Sequence, residues 1–97
     1  MKAYIIVDVS VTDAQQFEEY KKLTPDSLKP FGGRFCVRGG PIHILEGEWK
    51  PERIVVLEFP SLENASAWWS SSEYAPAKAL RQTAAKTNMI MLEGFEG

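Results

Sequence analysis

The side chains best suited to bind a small molecule are aromatic and lie on predicted helices. Trp68 and Tyr74 belong to the stretch AWWSSSEY, which follows a predicted core strand, and Tyr20 falls on the inward stripe of an earlier helix. Arg81 lies on the last helix. Aromatic rings stack on planar ligands, and a guanidinium binds anionic groups. Tyr20, Trp68, Tyr74 and Arg81 therefore predict a ligand pocket between the sheet and the helices.

A structural role explains the same side chains without a ligand. Consecutive helical positions cannot both point inward, so at most one of Trp68 and Trp69 faces a cavity. In this alternative one indole packs on the sheet and the other covers a helix joint. Arg81 lies near a helix C-terminus, where the helix dipole already favours a cation. The sequence leaves both interpretations open.

No group of residues identifies a reaction. His43 is the only histidine and Cys36 the only cysteine, and neither has the spacing of a catalytic triad. They are also too few for a zinc site, which usually needs three or four such ligands. The chain has neither a phosphate loop nor a dinucleotide fingerprint. We therefore expect no metal and no cofactor, an exposed His43 on a strand, Cys36 as a small buried side chain at a dimer face, and catalytic residues that stay unknown.

The hydrophobic pattern predicts four strands, at residues 2–11, 34–38, 53–59 and 89–95, with 42–46 as a strand extension or an arm. Thr12 and Gln15 form a capping box for the first helix, which Pro25 kinks or restarts. Ser61 caps a second helical region, which residues 70–72 interrupt and residues 87–88 end.

This order of elements predicts an α+β fold. The sequence β, α, β, β, α, β matches the ferredoxin-like sandwich, with an antiparallel four-stranded sheet and both helices on one face. Right-handed crossovers place the first and third strands in the middle. We expect residues 1–97 to form a single domain of this kind.

Alternation along the strands divides the sheet into an apolar face and a mixed face. The apolar face, expected beneath the helices, includes Ile90 and Leu92 of the last strand, whereas Met89 and Met91 are expected on the mixed face. A closed core does not accept unpaired charges, and water does not favour a large apolar patch. Two copies packed through their mixed faces solve both problems, so we predict a symmetric homodimer. The polar residues expected at that dimer face are Asp8, Arg34, Arg38 and Glu58.

Two of these polar residues have an alternative role. Arg34 and Arg38 lie four positions apart on one strand and are expected to point the same way. Two such guanidinium groups can clamp an anionic ligand, whereas pairing with Asp8, Glu58 or Glu93 across the dimer is the structural alternative.

Composition excludes several classes of partner. Eleven Lys and Arg against thirteen Asp and Glu give a net charge of -2, without a basic block for nucleic acid. No apolar stretch reaches the roughly 20 residues that span a bilayer, and the run after Lys2 is too short for a signal peptide. A lone cysteine fits a reducing compartment, so we expect a cytoplasmic protein.

Four strings in the middle of the chain are distinctive together: GGRFCVRGG at 32–40, LEGEWKPER at 45–53, EFPS at 58–61 and AWWSSSEY at 67–74. With them the chain resembles, over essentially its whole length, the small bacterial family called domain of unknown function 1330, within the dimeric α+β barrel superfamily. The resemblance implies a ferredoxin-like monomer and a dimer joined through its sheets. It implies no reaction, although distant superfamily members include cofactor-free monooxygenases, haem-handling enzymes and lactone isomerases.

Two functions fit these observations. In the first, the protein binds a small organic molecule and acts as a cofactor-free oxygenase or isomerase, with the pocket at Tyr20, Trp68, Tyr74 and Arg81. In the second, it is a non-catalytic dimeric binding or interaction module. Likeness of fold is weak evidence for function, so enzymatic activity stays undecided, and we favour a small-molecule role.

Overall fold

The computed structural model describes residues 1–96 and contains one four-stranded antiparallel sheet in the order β2-β3-β1-β4. The central positions of the first and third strands are as predicted. The elements in chain order are β1 (Ala3–Val11), α1 (Ala14–Leu28), a short 3₁₀ helix (Lys29–Phe31), β2 (Arg34–Arg38), β3 (Arg53–Phe59), α2 (Leu62–Trp69), α3 (Ala75–Ala84) and β4 (Ala85–Glu93).

The core lies between one face of this sheet and the helices. Alternate residues of β1 are buried there, from Ala3 to Val9, because successive side chains of a strand point to opposite faces. Leu57 and Phe59 of β3 join them, and Trp68 and Tyr74 are among the largest fully buried side chains. The ferredoxin-like prediction is thus confirmed. Within residues 1–96, no helix is long and apolar enough to cross a membrane.

Helix α1 differs from its prediction at its start and at Pro25. The N-cap is Asp13 rather than Thr12, because the Asp13 carboxylate accepts a hydrogen bond from the Gln16 amide at 3.1 Å. The helix also continues through Pro25 without a restart. Proline frees the carbonyl four residues earlier, which is that of Lys21. The Arg38 guanidinium donates to this carbonyl at 2.8 Å and so replaces the lost bond.

A bulge in β2 changes the direction of Arg38. Phe35 pairs with Leu57, but Val37 pairs with Val56 and Arg38 with Val55, so Cys36 is an extra residue. One extra residue reverses the alternation of the strand that contains it. Arg38 therefore lies on the helix side of the sheet, and its predicted place on the outer face with Arg34 was wrong.

Strand β4 begins four residues earlier than predicted, at Ala85 instead of residue 89. The Ala84 carbonyl accepts bonds from the amides of Thr12 and Asp13, at 2.8 and 2.9 Å, which ties the end of α3 to the start of α1. The chain then enters the sheet at once, with Ala85 opposite Val11.

The pairing of β4 with β1 places its side chains on the faces opposite to those predicted. Met89 pairs with Val7 and Met91 with Ile5, on the helix side, whereas Ile90 and Leu92 lie on the outer side. The prediction failed because the first paired residue fixes the register of a strand, and a shift by one residue exchanges its faces. Residues 87–88, predicted to end the helix, are in the strand.

The segment between β2 and β3 forms an arm without regular structure, so the strand extension predicted at 42–46 is absent. Its apolar side chains lie beside the outer face of the sheet near Ile6 and Ile54. The indole of Trp49 donates a hydrogen bond to Asp8 at 3.1 Å. This contact links the arm to β1.

Candidate functional site

Trp68 and Tyr74 form a buried stack at the joint of α2 and α3. Their ring centroids are 3.9 Å apart with an angle of 30° between the planes. Ser71 shapes the turn between them, because its hydroxyl donates to the Trp68 carbonyl at 2.7 Å and accepts from the Tyr74 amide at 3.1 Å. The Trp68 indole donates to the Ser27 hydroxyl at 3.0 Å. Trp68 is therefore a core residue whose polar atom is paired within the protein.

The two adjacent indoles have different surroundings, as expected if they have structural roles. Trp68 packs against Phe59 with 5.6 Å between ring centroids, whereas Trp69 is 44% exposed beneath the Lys78 ammonium group. Because Trp68 and Tyr74 are both 0% exposed, side chains fill the space where the sequence predicted an open pocket around them.

A hydrogen-bonded chain joins the other predicted pocket residues. The hydroxyls of Tyr20 and Tyr74 lie 3.1 Å apart, and Nε of Arg81 donates to the Tyr74 oxygen at 3.2 Å. Burial raises the pKa of Tyr74, and Tyr20 raises it further, while Arg81 has the opposite, smaller effect. Tyr74 is therefore a neutral phenol. The structure brings together all four predicted residues. Trp68 and Tyr74 are enclosed, whereas Arg81 lines an open space between α2, α3 and β4.

That space is a cavity of about 370 Å³ between α2, α3 and β4, named here the Arg81 cavity. Arg81 is 5% exposed, yet none of the ion pairs within residues 1–96 includes it. Thr87, on the opposite wall, has a buried hydroxyl without a hydrogen-bond partner in this part of the chain. The full lining is Ile5, Ser66, Trp69, Arg81, Gln82, Thr87, Met89, Ile90 and Met91.

The chemistry of this lining favours an anionic group attached to an apolar body. A buried guanidinium is costly unless an acceptor pairs with it, and a buried hydroxyl without a partner carries a smaller penalty of the same kind. Trp69 and the two methionines supply polarizable contacts for an apolar or aromatic ring.

The polar residues predicted at the dimer face have partners within the chain. The Arg34 guanidinium pairs with Glu58, its cross-strand neighbour, and Lys2 and Tyr4 also contact that carboxylate, each at 3.3 Å. The hydrogen bond from Arg34 lowers the pKa of Glu58, and burial opposes this change less strongly. Asp8 accepts the Trp49 bond. Arg34, Asp8 and Glu58 lie on the outer side of the sheet, and their role in assembly stays a prediction.

The remaining singled-out residues are exposed. Cys36 is the extra residue of the bulge in β2, and its side chain is exposed in this single chain. Its burial at a dimer face stays a prediction. His43 is exposed on the irregular arm rather than on a strand. Neither residue lines the Arg81 cavity.

Sequence reasoning missed two residues with unsatisfied polar atoms. Thr87 was assigned to a helix break, so its place on the inner face of β4 was hidden. Arg53 has a buried Nε without a partner in the described residues. A signal for Arg53 exists, because it alternates in phase with Val55 and Leu57 and so falls on the helix side of β3.

A comparison with known protein families shows which family the chain belongs to. The family model described as "Domain of unknown function (DUF1330)" matches residues 2–95. The chain belongs to this family. No curated protein matches it.

Solved structures similar to this DUF1330 protein share its fold at low identity. A protein of unknown function from Rhodopseudomonas palustris has a TM-score of 0.78 and 17% identity, covering 99% of this chain and 84% of that one. A dimeric ferredoxin-like protein of unknown function from Jannaschia sp. CCS1 has a TM-score of 0.73 and 13% identity, covering 97% and 100%. SnoaB, a cofactor-independent oxygenase from Streptomyces nogalater, has a TM-score of 0.63 and 10% identity, covering 99% and 95%.

Proposed function

We propose that this protein binds a small organic molecule with an anionic or strongly accepting oxygen in the Arg81 cavity. The observation that carries the proposal is the buried Arg81 guanidinium, which has no carboxylate partner within residues 1–96 and faces a cavity large enough for a small ring. Tyr74 accepts from its Nε and thereby fixes the direction of the guanidinium. The remaining N–H groups of Arg81 are then available to a ligand.

Thr87 also lines the cavity, on β4, but its hydroxyl oxygen is enclosed. Arg81 is therefore the group that holds the ligand oxygen in this proposal. The rest of the ligand then lies against Trp69, Met89 and Met91. This arrangement selects ligands that have a negative charge at one end and an apolar group at the other.

The test is a binding measurement with benzoate, a planar carboxylate, followed through the methyl signals of Met89 and Met91 in NMR spectra. We expect saturating shifts of both methyl groups, and binding at least about tenfold weaker in Arg81→Gln. Lys86→Gln is the matched control, because it removes one charge from the outer side of β4 and not from the cavity. Equal affinity in wild type and Arg81→Gln contradicts the proposal. Native mass spectrometry of the protein purified from its host then shows which compound it retains.

Cofactor-free oxygenation is the candidate reaction, and the likeness of fold to SnoaB supports it. In such a reaction the substrate supplies the electrons to O₂, and Arg81 would stabilise the negative charge on a substrate oxygen. Oxygen consumption with a retained host compound tests this activity, and its loss in Arg81→Gln is expected. A retained compound that binds without consuming oxygen favours the alternative, a non-catalytic binding module.

A homodimer through the outer face of the sheet is the proposed assembly. Ile90 and Leu92 are 55% and 44% exposed there, and apolar side chains of the arm lie beside Ile6, the cross-strand neighbour of Ile90. The Jannaschia protein of similar fold is described as dimeric. We expect sedimentation to give a dimer at micromolar concentration, and Ile90→Lys to shift it toward monomer. A wild-type monomer at that concentration contradicts this proposal and leaves the Arg81 cavity unaffected.

A further inference from the structure

Two arginines face an apolar cleft on the other side of α1, away from the Arg81 cavity. Arg38 of β2 and Arg53 of β3 line this cleft together with Phe17, Tyr20 and Phe35. Neither arginine belongs to an ion pair within residues 1–96. On adjacent strands they are diagonal neighbours, since Arg38 pairs with the residue two positions after Arg53.

Arg38 reaches this side only because β2 contains the bulge at Cys36. Its guanidinium carbon then lies 4.3 Å from the centre of the Phe35 ring, and its Nη2 donates to the Lys21 carbonyl that Pro25 leaves free. These contacts use one N–H and fix the plane of the group. The other donors of the fork stay available, because an arginine has five N–H groups.

The absence of a side chain at Gly39 leaves room for the Arg53 guanidinium. Gly39 has a left-handed backbone with φ of 70°, and a Cβ atom there would lie 2.1 Å from Nη1 of Arg53. The guanidinium carbon lies 5.5 Å from the centre of the Phe17 ring. Nε of Arg53 is buried and has no partner in the described residues. Two features of the backbone, the bulge and Gly39, thus leave room for two guanidinium groups at one cleft.

The charges around these arginines do not neutralise them. A groove of about 400 Å³ outside the cleft is lined by Glu18, Lys21, Lys22, Arg38 and Arg53. Glu18 pairs with Lys21 at 2.9 Å and Glu19 with Lys22 at 3.2 Å. The bond from Lys21 is the main cause that lowers the pKa of Glu18, so this rim carboxylate is ionised but already paired. Two uncompensated positive charges remain.

We propose that Arg38 and Arg53 form a second binding site, which takes a compact oxyanion, the carboxylate or phosphate group of a small metabolite. The free volume beneath the arginines is about 20 Å³, room for a water-sized group but not for an organic ring. The charged group therefore lies at the guanidinium groups and the rest of the ligand extends into the groove. Paired N–H groups of arginine match the oxygens of both anions.

Titrations with sodium acetate and with sodium phosphate, each compared with sodium chloride at equal ionic strength, test this site. The signals to follow in ¹H–¹⁵N spectra are the Gly39 amide and the Arg53 Nε–H. We expect saturating shifts of both signals, at the same values in wild type and Arg81→Gln. Saturation by acetate alone assigns a carboxylate, by phosphate alone a phosphoryl group, and by both a general oxyanion site; each result supports the proposal.

Variants distinguish a specific anion-binding site from general electrostatic attraction of anions to the groove. Arg53→Gln should weaken binding by at least about tenfold, and Arg53→Lys should also weaken it because the paired donors are lost. Lys22→Gln removes the same charge from the groove and should change the affinity by less than about twofold, since exposed charges are screened. Equal losses in Lys22→Gln and Arg53→Lys overturn the proposal. If Arg53→Gln does not fold, wild-type shifts that do not saturate, or that chloride reproduces, overturn it as well.

Discussion

Arg81 donates from Nε to the phenolic oxygen of Tyr74 at 3.2 Å, and this bond joins the buried aromatic stack to the open Arg81 cavity. Tyr74 lies between Arg81 and Tyr20, with a hydroxyl contact to Tyr20 of 3.1 Å. The residues predicted to line one pocket therefore divide into a packed part and an accessible part. Tyr74 holds the Arg81 guanidinium from the core side, while Arg81 lines the cavity that we propose as the ligand site.

Tyr74→Phe should lower the free energy of unfolding by about 1–3 kcal/mol, because a buried guanidinium loses its acceptor and Tyr20 loses its partner. Urea unfolding measures the change. Tyr20→Phe is the matched control, with a smaller expected loss, since Tyr20 is only partly buried and Arg81 keeps Tyr74. A loss in Tyr20→Phe as large as in Tyr74→Phe contradicts the central place of Tyr74.

The two adjacent tryptophans should respond very differently to truncation. Trp68→Ala should cost about 3–5 kcal/mol of stability, because it leaves a cavity beside Phe59 and Tyr74 and removes the bond to Ser27. Trp69→Ala should cost about 1 kcal/mol or less, since this indole is half-exposed and loses mainly its contact with Lys78. Thermal and urea unfolding of the two variants give the comparison. Similar losses for both would show that Trp69 belongs to the core.

The sequence was sufficient for the architecture because local patterns and topology agree. Alternation in β1 and β3 separates buried from outer residues, and the short β2 has the predicted bounds. Ser61 caps α2 as predicted, with its hydroxyl accepting from the Asn64 amide at 3.1 Å. Each of these features depends on residues close together in the chain, so a single sequence contains the signal.

Errors arose where a distant contact decides the local structure. The bulge in β2 leaves no mark in RFCVR, yet it moves Arg38 from one face to the other. The register of β4 depends on the bonds between Ala84 and the start of α1, which no pattern within β4 records. The same limit hid Thr87 and Arg53, since a partnerless polar atom is visible only when all its neighbours are known.

Acid should weaken the native state partly through Glu58. The bond from Arg34 holds the Glu58 pKa below its usual value of 4.5. A lowered folded pKa gives stability that is present above the unfolded pKa and is lost as the pH falls through the folded pKa. Wild type should therefore lose more stability than Glu58→Gln between pH 7 and pH 3, measured by urea unfolding at both values. Parallel losses would show that this carboxylate does not titrate differently on folding.

Substitutions at Gly39 and Gly40 form a matched pair that tests the position of the Arg53 guanidinium. Gly39→Ala places a methyl group against the Arg53 guanidinium at a left-handed position, whereas a Cβ at Gly40 meets nothing within 4 Å. The strained backbone costs about 1–2 kcal/mol. We expect that loss in urea unfolding of Gly39→Ala, with a shifted Arg53 Nε–H signal and weaker oxyanion binding, and neither effect in Gly40→Ala. An unchanged Arg53 signal in Gly39→Ala would mean that the guanidinium does not rest on this glycine in solution, and equal effects in both variants would assign the loss to the turn as a whole.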